Sequence, residues 1–252
     1  MFSILKKIIT KAHRPPYRIP EGTRVYAVGD VHGRADLLET LHQRMVRDAE
    51  DARPANNVAV YLGDYVDRGL DVRDVLEILS GGPPDGFQAV YLRGNHEETL
   101  VRFLEDPRWL EHWLPMGGAS TLLNYRVNVP GNGSTAQRAP QVRDALLASL
   151  PEKHLSFLRL LRPSFALGDY FFAHAGIRPG VPLNRQSPED LLWIRDGFLA
   201  STARHEARIV HGHSIVSRPE VLPHRIALDT GAYATGNLSC AVLENDHVRI
   251  LG

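Results

Sequence analysis

Five short apolar runs in this chain each end in a polar cluster, and that repeated order constrains the fold more than any other feature. The runs are residues 25–28, 58–62, 89–92, 170–173 and 209–210. The clusters that follow are Gly29-Asp30-Val31-His32-Gly33, Gly63-Asp64-Tyr65-Val66-Asp67-Arg68-Gly69, Gly94-Asn95-His96-Glu97, His174-Ala175-Gly176 and His211-Gly212-His213. Runs of this length, rich in β-branched and aromatic residues, read as strands. Ligands of α/β sheets collect just beyond the carboxyl ends of strands. Between the first three clusters lie helical stretches: 35–52, with Leu37, Leu38, Leu41 and Met45 at helical spacing, then 72–79, stopped by Gly81-Gly82-Pro83-Pro84, then 97–104. Strand, cluster and helix in alternation predict βαβ units and a largely parallel sheet.

The rest of the chain departs from that alternation. Residues 107–165 read as mostly helical, with amphipathic helices over 145–150 and 154–161. Residues 128–140, rich in Gly, Asn, Ser and Pro, read as a long surface loop. Residues 225–228, 238–243 and 248–251 read as short strands of a second sheet with antiparallel pairing. No internal repeat or linker interrupts residues 21–252, which read as one catalytic domain with a helical insertion.

Composition narrows the partners. Lys plus Arg is 29 and Asp plus Glu is 29, a formal net charge of +0. Such a chain lacks the cationic excess that binding a nucleic-acid polymer demands. Cys240 is the only cysteine, so no intrachain disulfide forms and a cytoplasmic setting is expected. No apolar stretch reaches the roughly 18 residues that cross a bilayer. Residues 1–13 put Phe2, Ile4, Leu5, Ile8 and Ile9 near one helical face among Lys6, Lys7 and Lys11. Residues 1–20 are read as a tail, frayed or docked on the body; peripheral membrane contact by that face is the second reading.

The clusters supply Asp30, His32, Asp64, Asn95, His174 and His213 as donors, all oxygen or nitrogen. That set suits manganese, iron or zinc better than a soft, thiolate-bound ion. Asp30 and His32 lie two apart, so on an extended segment they point the same way. Asp64 is the natural bridge between a first group (Asp30, His32) and a second (Asn95, His174, His213). Two cations roughly 3.5–4 Å apart clamp the attacking and leaving oxygens of an in-line displacement and supply hydroxide at neutral pH. With only two carboxylates and a neutral amide, the centre stays net positive and attracts a phosphate dianion. Arg68 can fork onto phosphate oxygens. His96 can protonate a leaving oxygen, with Asp67 favouring its imidazolium form.

These motifs resemble the phosphoprotein phosphatase family of metallophosphoesterases, which includes calcineurin, protein phosphatase 1 and phage lambda phosphatase. GDVHG, GDYVDRG and GNHE meet the family's GDxHG, GDxVDRG and GNHE, and His174 and His213 match its two later histidines. The resemblance implies a four-layer αββα sandwich. It also implies a dinuclear centre, manganese foremost, on Asp30, His32, Asp64, Asn95, His174 and His213. His96 becomes the proton donor paired with Asp67, and Arg68 a phosphate contact. A second phosphate contact falls on Arg195, in the WxR-like stretch Trp193-Ile194-Arg195. Arg34 stands where the animal enzymes usually have Gln, and the chain is short, which points to the compact bacterial branch.

Taken singly, Asp30, Asp64 and Asp67 would read as turn or cap residues; together they read as a site. His211 is open between a packed histidine and a contact near the site. Trp109, Trp113 and Trp193 read as core, and Asp229 as a strand-to-turn junction. The function expected is a phosphomonoesterase acting on phosphorylated proteins, at serine and threonine and also tyrosine, by direct attack of hydroxide on phosphorus. The alternative is a dinucleoside polyphosphate hydrolase of the diadenosine tetraphosphatase kind.

Overall fold

The computed structural model describes residues 16–53, 55–129, 131 and 133–251. Residues 1–15, which carry the expected amphipathic face, lie outside the described residues. The strands are β1 (Thr23–Val28), β2 (Asn56–Tyr61), β3 (Phe87–Tyr91), β4 (Ser164–Leu167), β5 (Tyr170–Ala173), β6 (Arg208–His211), β7 (Glu220–Val221), β8 (Arg225–Ala227), β9 (Cys240–Glu244) and β10 (His247–Ile250). They form two five-stranded sheets, ordered β10-β9-β1-β2-β3 and β4-β5-β6-β8-β7. β1, β2 and β3 are parallel, as are β5, β6 and β8. All five polar clusters therefore leave their strands at carboxyl ends.

The period of two along each strand builds the layers. Val25, Ala27, Val58 and Val60 face the second sheet and meet Tyr170, Phe172, Val210 and Ile226 in one buried core. The alternate residues Tyr26, Val28, Ala59 and Tyr61 face the helices on the other side. On the second sheet Phe171, Ala173 and Ile209 turn outward to Leu191 and Phe198. The result is helix, sheet, sheet, helix: the four layers expected. Each fully buried Val, Leu or Phe contributes about 1.5–3 kcal/mol to holding these layers together.

The helices on the first sheet are α1 (Ala35–Asp51), α2 (Val72–Ser80), α3 (Asn95–Glu105), α4 (Leu110–Trp113), α5 (Gly118–Asn124), α6 (Thr135–Ser149) and α7 (Glu152–Leu160). α1 buries Leu38, Leu41 and Met45, and α3 buries Leu100, Phe103 and Leu104. The second sheet carries α8 (Pro188–Trp193) and α9 (Asp196–Leu199), and the short turn α10 (Ala232–Thr235) follows β8 in the chain.

Two expectations are corrected. The loop expected over 128–140 ends early, because α6 begins at Thr135. Ser134 Oγ accepts from the Gln137 amide at 3.3 Å, and Gln137 Oε1 accepts from the Ser134 amide at 2.9 Å. This reciprocal cap starts a helix that Pro140 crosses, leaving one backbone bond unmade, because Ala139, Val142 and Leu146 gain burial. The C-terminal strands also divide. β8 joins the second sheet, parallel to β6, whereas β9 returns antiparallel to β1 and carries β10 with it in the first sheet. Their residues Ala241 and Leu243 belong to the core between the sheets.

Candidate metal centre

The cluster residues meet where the parallel strands of both sheets end. Asp30 follows β1, Asp64 follows β2, Asn95 opens α3 after β3, His174 follows β5 and His213 follows β6. Sharp turns bring them inward. His32, Asp64, Asp67, Arg68 and His213 have φ of 44°, 54°, 68°, 67° and 60°. Non-glycine residues occupy this left-handed region at a cost, and they concentrate at functional sites. The φ of His32 corrects the expectation of an extended Asp30–His32 segment. The chain instead curls so that the amides of Val31 and His32 both donate to the Asp64 carbonyl, at 3.1 and 2.8 Å.

Asp64 lies at the centre. Its Oδ2 is 3.4 Å from His32 Nε2 and its Oδ1 is 3.4 Å from His174 Nε2. Two sets of donor atoms that could hold a cation share it: His32, Asp64 and His96 on one side, Asp64, His174 and His213 on the other. Asn95 Oδ1 adjoins the second set, 2.8 Å from His174 Nε2 and 3.0 Å from His213 Nδ1. His32 Nδ1 and His174 Nδ1 each donate to a backbone carbonyl, Val66 at 2.8 Å and Leu62 at 2.9 Å. That places the proton on Nδ1 and turns the Nε2 lone pair into the site.

The donor set fits a pair of cations. With Nδ1 protonated, His174 Nε2 faces Asn95 Oδ1 and Asp64 Oδ1, three acceptors turned toward one another. Asp30 Oδ2 accepts from the His213 amide at 3.0 Å, while Asp30 Oδ1 and His213 Nε2 are buried with no hydrogen-bond partner. Burial draws His32 down to about 3 and His213 down to about 2, and it lowers His174 as well, so these rings are neutral and ready to ligate at pH 7. Burial, then the charges of Asp229 and Asp64, pushes Asp30 well above the carboxylate range. Such an excess of buried negative charge is what a cation neutralises.

Beside this centre stands a buried histidine–aspartate pair. His96 Nδ1 is 2.7 Å from Asp67 Oδ2. Burial alone would lower the pKa of His96, but the Asp64 charge and the Asp67 bond outweigh it and the pKa is raised. Asp67 is fixed in turn by Trp113 Nε1 at 2.9 and 3.1 Å and by the Thr121 hydroxyl at 2.6 Å. Arg68 Nη2 is 3.2 Å from His96 Nε2, and its guanidinium lies 4.9 Å from the Tyr233 ring centroid. Arg195 is exposed at the start of α9, and its charge acts on His174, His213 and Asp229.

Several contributors were not evident from sequence. Glu97 is fully buried, and its carboxylate accepts from the amides of Asp64, Tyr65, Val66 and Gly94 at 2.7–3.1 Å, pinning the second and third clusters together. Its place in GNHE was the available signal. Trp113 and Thr121 gave none, being 46 and 54 residues from Asp67 in the chain. Asp229 is buried; it accepts from the Gly231 amide at 2.8 Å and also acts on Asp30, so it is more than a turn residue. Trp193 is corrected from core: it is 37% exposed, with its ring edge-on to His213 at 6.3 Å. His211 is a packed histidine, fully buried against Phe198 and 3.4 Å from Arg225.

A four-layer sandwich that gathers His and Asp groups suited to two cations at the carboxyl ends of its strands is the arrangement of a metallophosphoesterase. The chain belongs to the calcineurin-like phosphoesterase family, whose model matches residues 23–250. It is 25% identical over 228 residues to the asymmetrical bis(5'-nucleosyl)-tetraphosphatase PrpE of Bacillus velezensis, covering 81% of this chain and 82% of that one. It is also 25% identical over 223 residues to serine/threonine-protein phosphatase 2 of Salmonella typhimurium, covering 85% and 90%. A solved structure described as that of a candidate diadenosine tetraphosphatase superposes with a TM-score of 0.60 at 22% identity, covering 93% of this chain and 97% of that one. The chain is thus an enzyme that hydrolyses phosphoesters, with His and Asp groups suited to a dinuclear metal site. Among the described residues no helix is long and apolar enough to cross a membrane.

Proposed function

We propose that this protein is a metal-dependent phosphomonoesterase acting on phosphoserine and phosphothreonine in proteins, and also on phosphotyrosine. The observation that carries this reading is the buried His96–Asp67 pair at 2.7 Å beside the cation sites. An alkoxide leaving group is strongly basic and needs a proton as its bond to phosphorus breaks; a nucleoside phosphate leaving from an anhydride does not.

In this reading Asp30, His32, Asp64, Asn95, His174 and His213 would hold two divalent cations, manganese foremost, and both donor sets would draw on Asp64. When bound, such a pair supplies a water of lowered pKa and neutralises charge on the phosphoryl group. Arg68 and Arg195 orient the phosphoryl oxygens. His96 gives its proton to the leaving oxygen, and Asp67 stabilises the imidazolium before that transfer. Trp113 and Thr121 keep Asp67 aimed at His96 Nδ1. The convergence of all five clusters on one edge of the sandwich supports a single catalytic domain over 21–252. With one cysteine and phosphoprotein substrates, we assign it to the cytoplasm.

A second reading is hydrolysis of dinucleoside polyphosphates. It is favoured by the tetraphosphatase named above and by the exposed ring of Trp193 beside His213, a surface on which a base could stack. One assay decides: turnover of phosphoserine and phosphotyrosine peptides beside diadenosine tetraphosphate, with manganese added. Higher kcat/KM on the peptides supports the monoesterase reading, and the reverse order replaces it with the second.

A further inference from the structure

Arg34, the residue that departs from the animal enzymes, is held at both ends. Its Nε and Nη2 grip Asp36 at 2.8 and 2.6 Å, and its Nη1 donates to the Ala232 carbonyl at 2.9 Å. Ala232 opens α10, a four-residue turn between Gly231 and Gly236, whose φ values are 65° and 72°. Glycine at both ends leaves such a turn many backbone states to lose on ordering. The other hydrogen bonds of residues 231–236 run within 229–237. Among the described residues, the Arg34 bond is the hydrogen bond that joins this turn to chain outside 229–237.

The turn carries Tyr233. Its ring stands edge-on to His32, with centroids 5.4 Å apart and planes at 86°, and the Arg68 guanidinium lies 4.9 Å from its centroid. The other polar contacts of the Arg68 side chain are long: the Met116 carbonyl at 3.4 Å and His96 Nε2 at 3.2 Å. The Tyr233 ring is thus a main support for the orientation of Arg68.

We infer that Arg34 is a positioning residue: clamped by Asp36, it fixes the Ala232–Thr235 turn so that Tyr233 backs Arg68 in a preset pose for phosphate. The inference rests on the reading of Arg68 as a phosphate contact. Preorganisation of this kind acts on binding, because a guanidinium already in place loses less freedom when phosphate arrives. A partly exposed cation–aromatic contact corresponds to about 3–10-fold in affinity.

The test uses the manganese-loaded protein and the variants Arg34→Ala, Tyr233→Leu and both together. KM is measured with 4-nitrophenyl phosphate, and the Kd of inorganic phosphate by calorimetry. Each single variant is expected to weaken phosphate binding by about 3–10-fold, with KM rising more than kcat falls. The double variant is expected to be no worse than the weaker single one, since both act through one support. Arg34→Gln, which keeps a donor for the Ala232 carbonyl, is expected to recover most of the loss. Losses that multiply in the double variant, or an unchanged phosphate Kd in Arg34→Ala, overturn the inference. Arg68→Ala separates the failures. If it binds phosphate normally, the reading of Arg68 falls; if it loses phosphate while Arg34→Ala does not, only the role of Arg34 falls.

Discussion

Replacing His96 by Asn removes the proposed proton donor from its pair while keeping a polar side chain. The His96 ring is 1% exposed and hydrogen-bonded to Asp67 at 2.7 Å, and Trp113 and Thr121 leave that carboxylate little freedom. The Asp67 carboxylate at Nδ1 favours the imidazolium form of the ring. A positioned general acid contributes about 10²–10⁴-fold, or about 3–5 kcal/mol at 1.36 kcal/mol per tenfold. That full loss is expected for phenyl phosphate. It shrinks to about tenfold or less for 4-nitrophenyl phosphate, whose leaving oxygen is far less basic. The assay is kcat across a series of substituted phenyl phosphates, with metal content measured on each preparation. Because His96 also borders the His32 and Asp64 donor set, Asp67→Asn is run in parallel as a variant outside both sets. A loss that is uniform across the series in both variants, or normal rates at full metal content, would refute the acid role.

Three further outcomes follow from particular contacts. A Cβ on Gly212 would collide with Asp30 Oδ1, so Gly212→Ala is expected to displace that carboxylate and lower bound metal by about one ion per chain, read by elemental analysis. Thr121→Val leaves buried Asp67 without its 2.6 Å donor and its amide without an acceptor; urea unfolding is expected to show a loss of about 1–3 kcal/mol. His42, whose Nε2 is 2.7 Å from the Tyr61 hydroxyl, is lowered to about 4 by burial. Its folded pKa lies below the unfolded value of about 6.5, so the unfolded chain takes up the proton first and stability falls as pH drops through that window. Between pH 7 and pH 5 the wild type is expected to lose about 2 kcal/mol more than His42→Gln in urea titrations.

The site was more legible than the scaffold around it. Short motifs carry Asp30, His32, Asp64, Asp67, Arg68, Asn95 and His96 in three contiguous stretches, so chemistry and spacing could be read together. The left-handed turns at His32, Asp64 and His213 could not, because a non-glycine residue gives no outward sign of positive φ. Trp113 and Thr121 were hidden for another reason: their link to Asp67 is made by the fold, across an insertion whose helices look alike in sequence. The strand pattern told where strands lie but not which sheet they join. β9 reads much like β8, yet it pairs with β1 because Ala241 and Leu243 complete the core between the sheets. Around residue 135, composition pointed to a loop, while a two-residue cap and three buried side chains decided for a helix. Exposure of Trp193 depended on what packs above α8, which periodicity does not report.

In the proposed centre one carboxylate, Asp64, serves two cations. The direct measurement is anomalous diffraction from crystals of the manganese-loaded protein. It should show two peaks roughly 3.5–4 Å apart flanking the Asp64 carboxylate, one toward His32 and one toward His174 and His213, and both should weaken in Asp64→Asn. A single peak, or a pair that leaves Asp64 to one side, would contradict it.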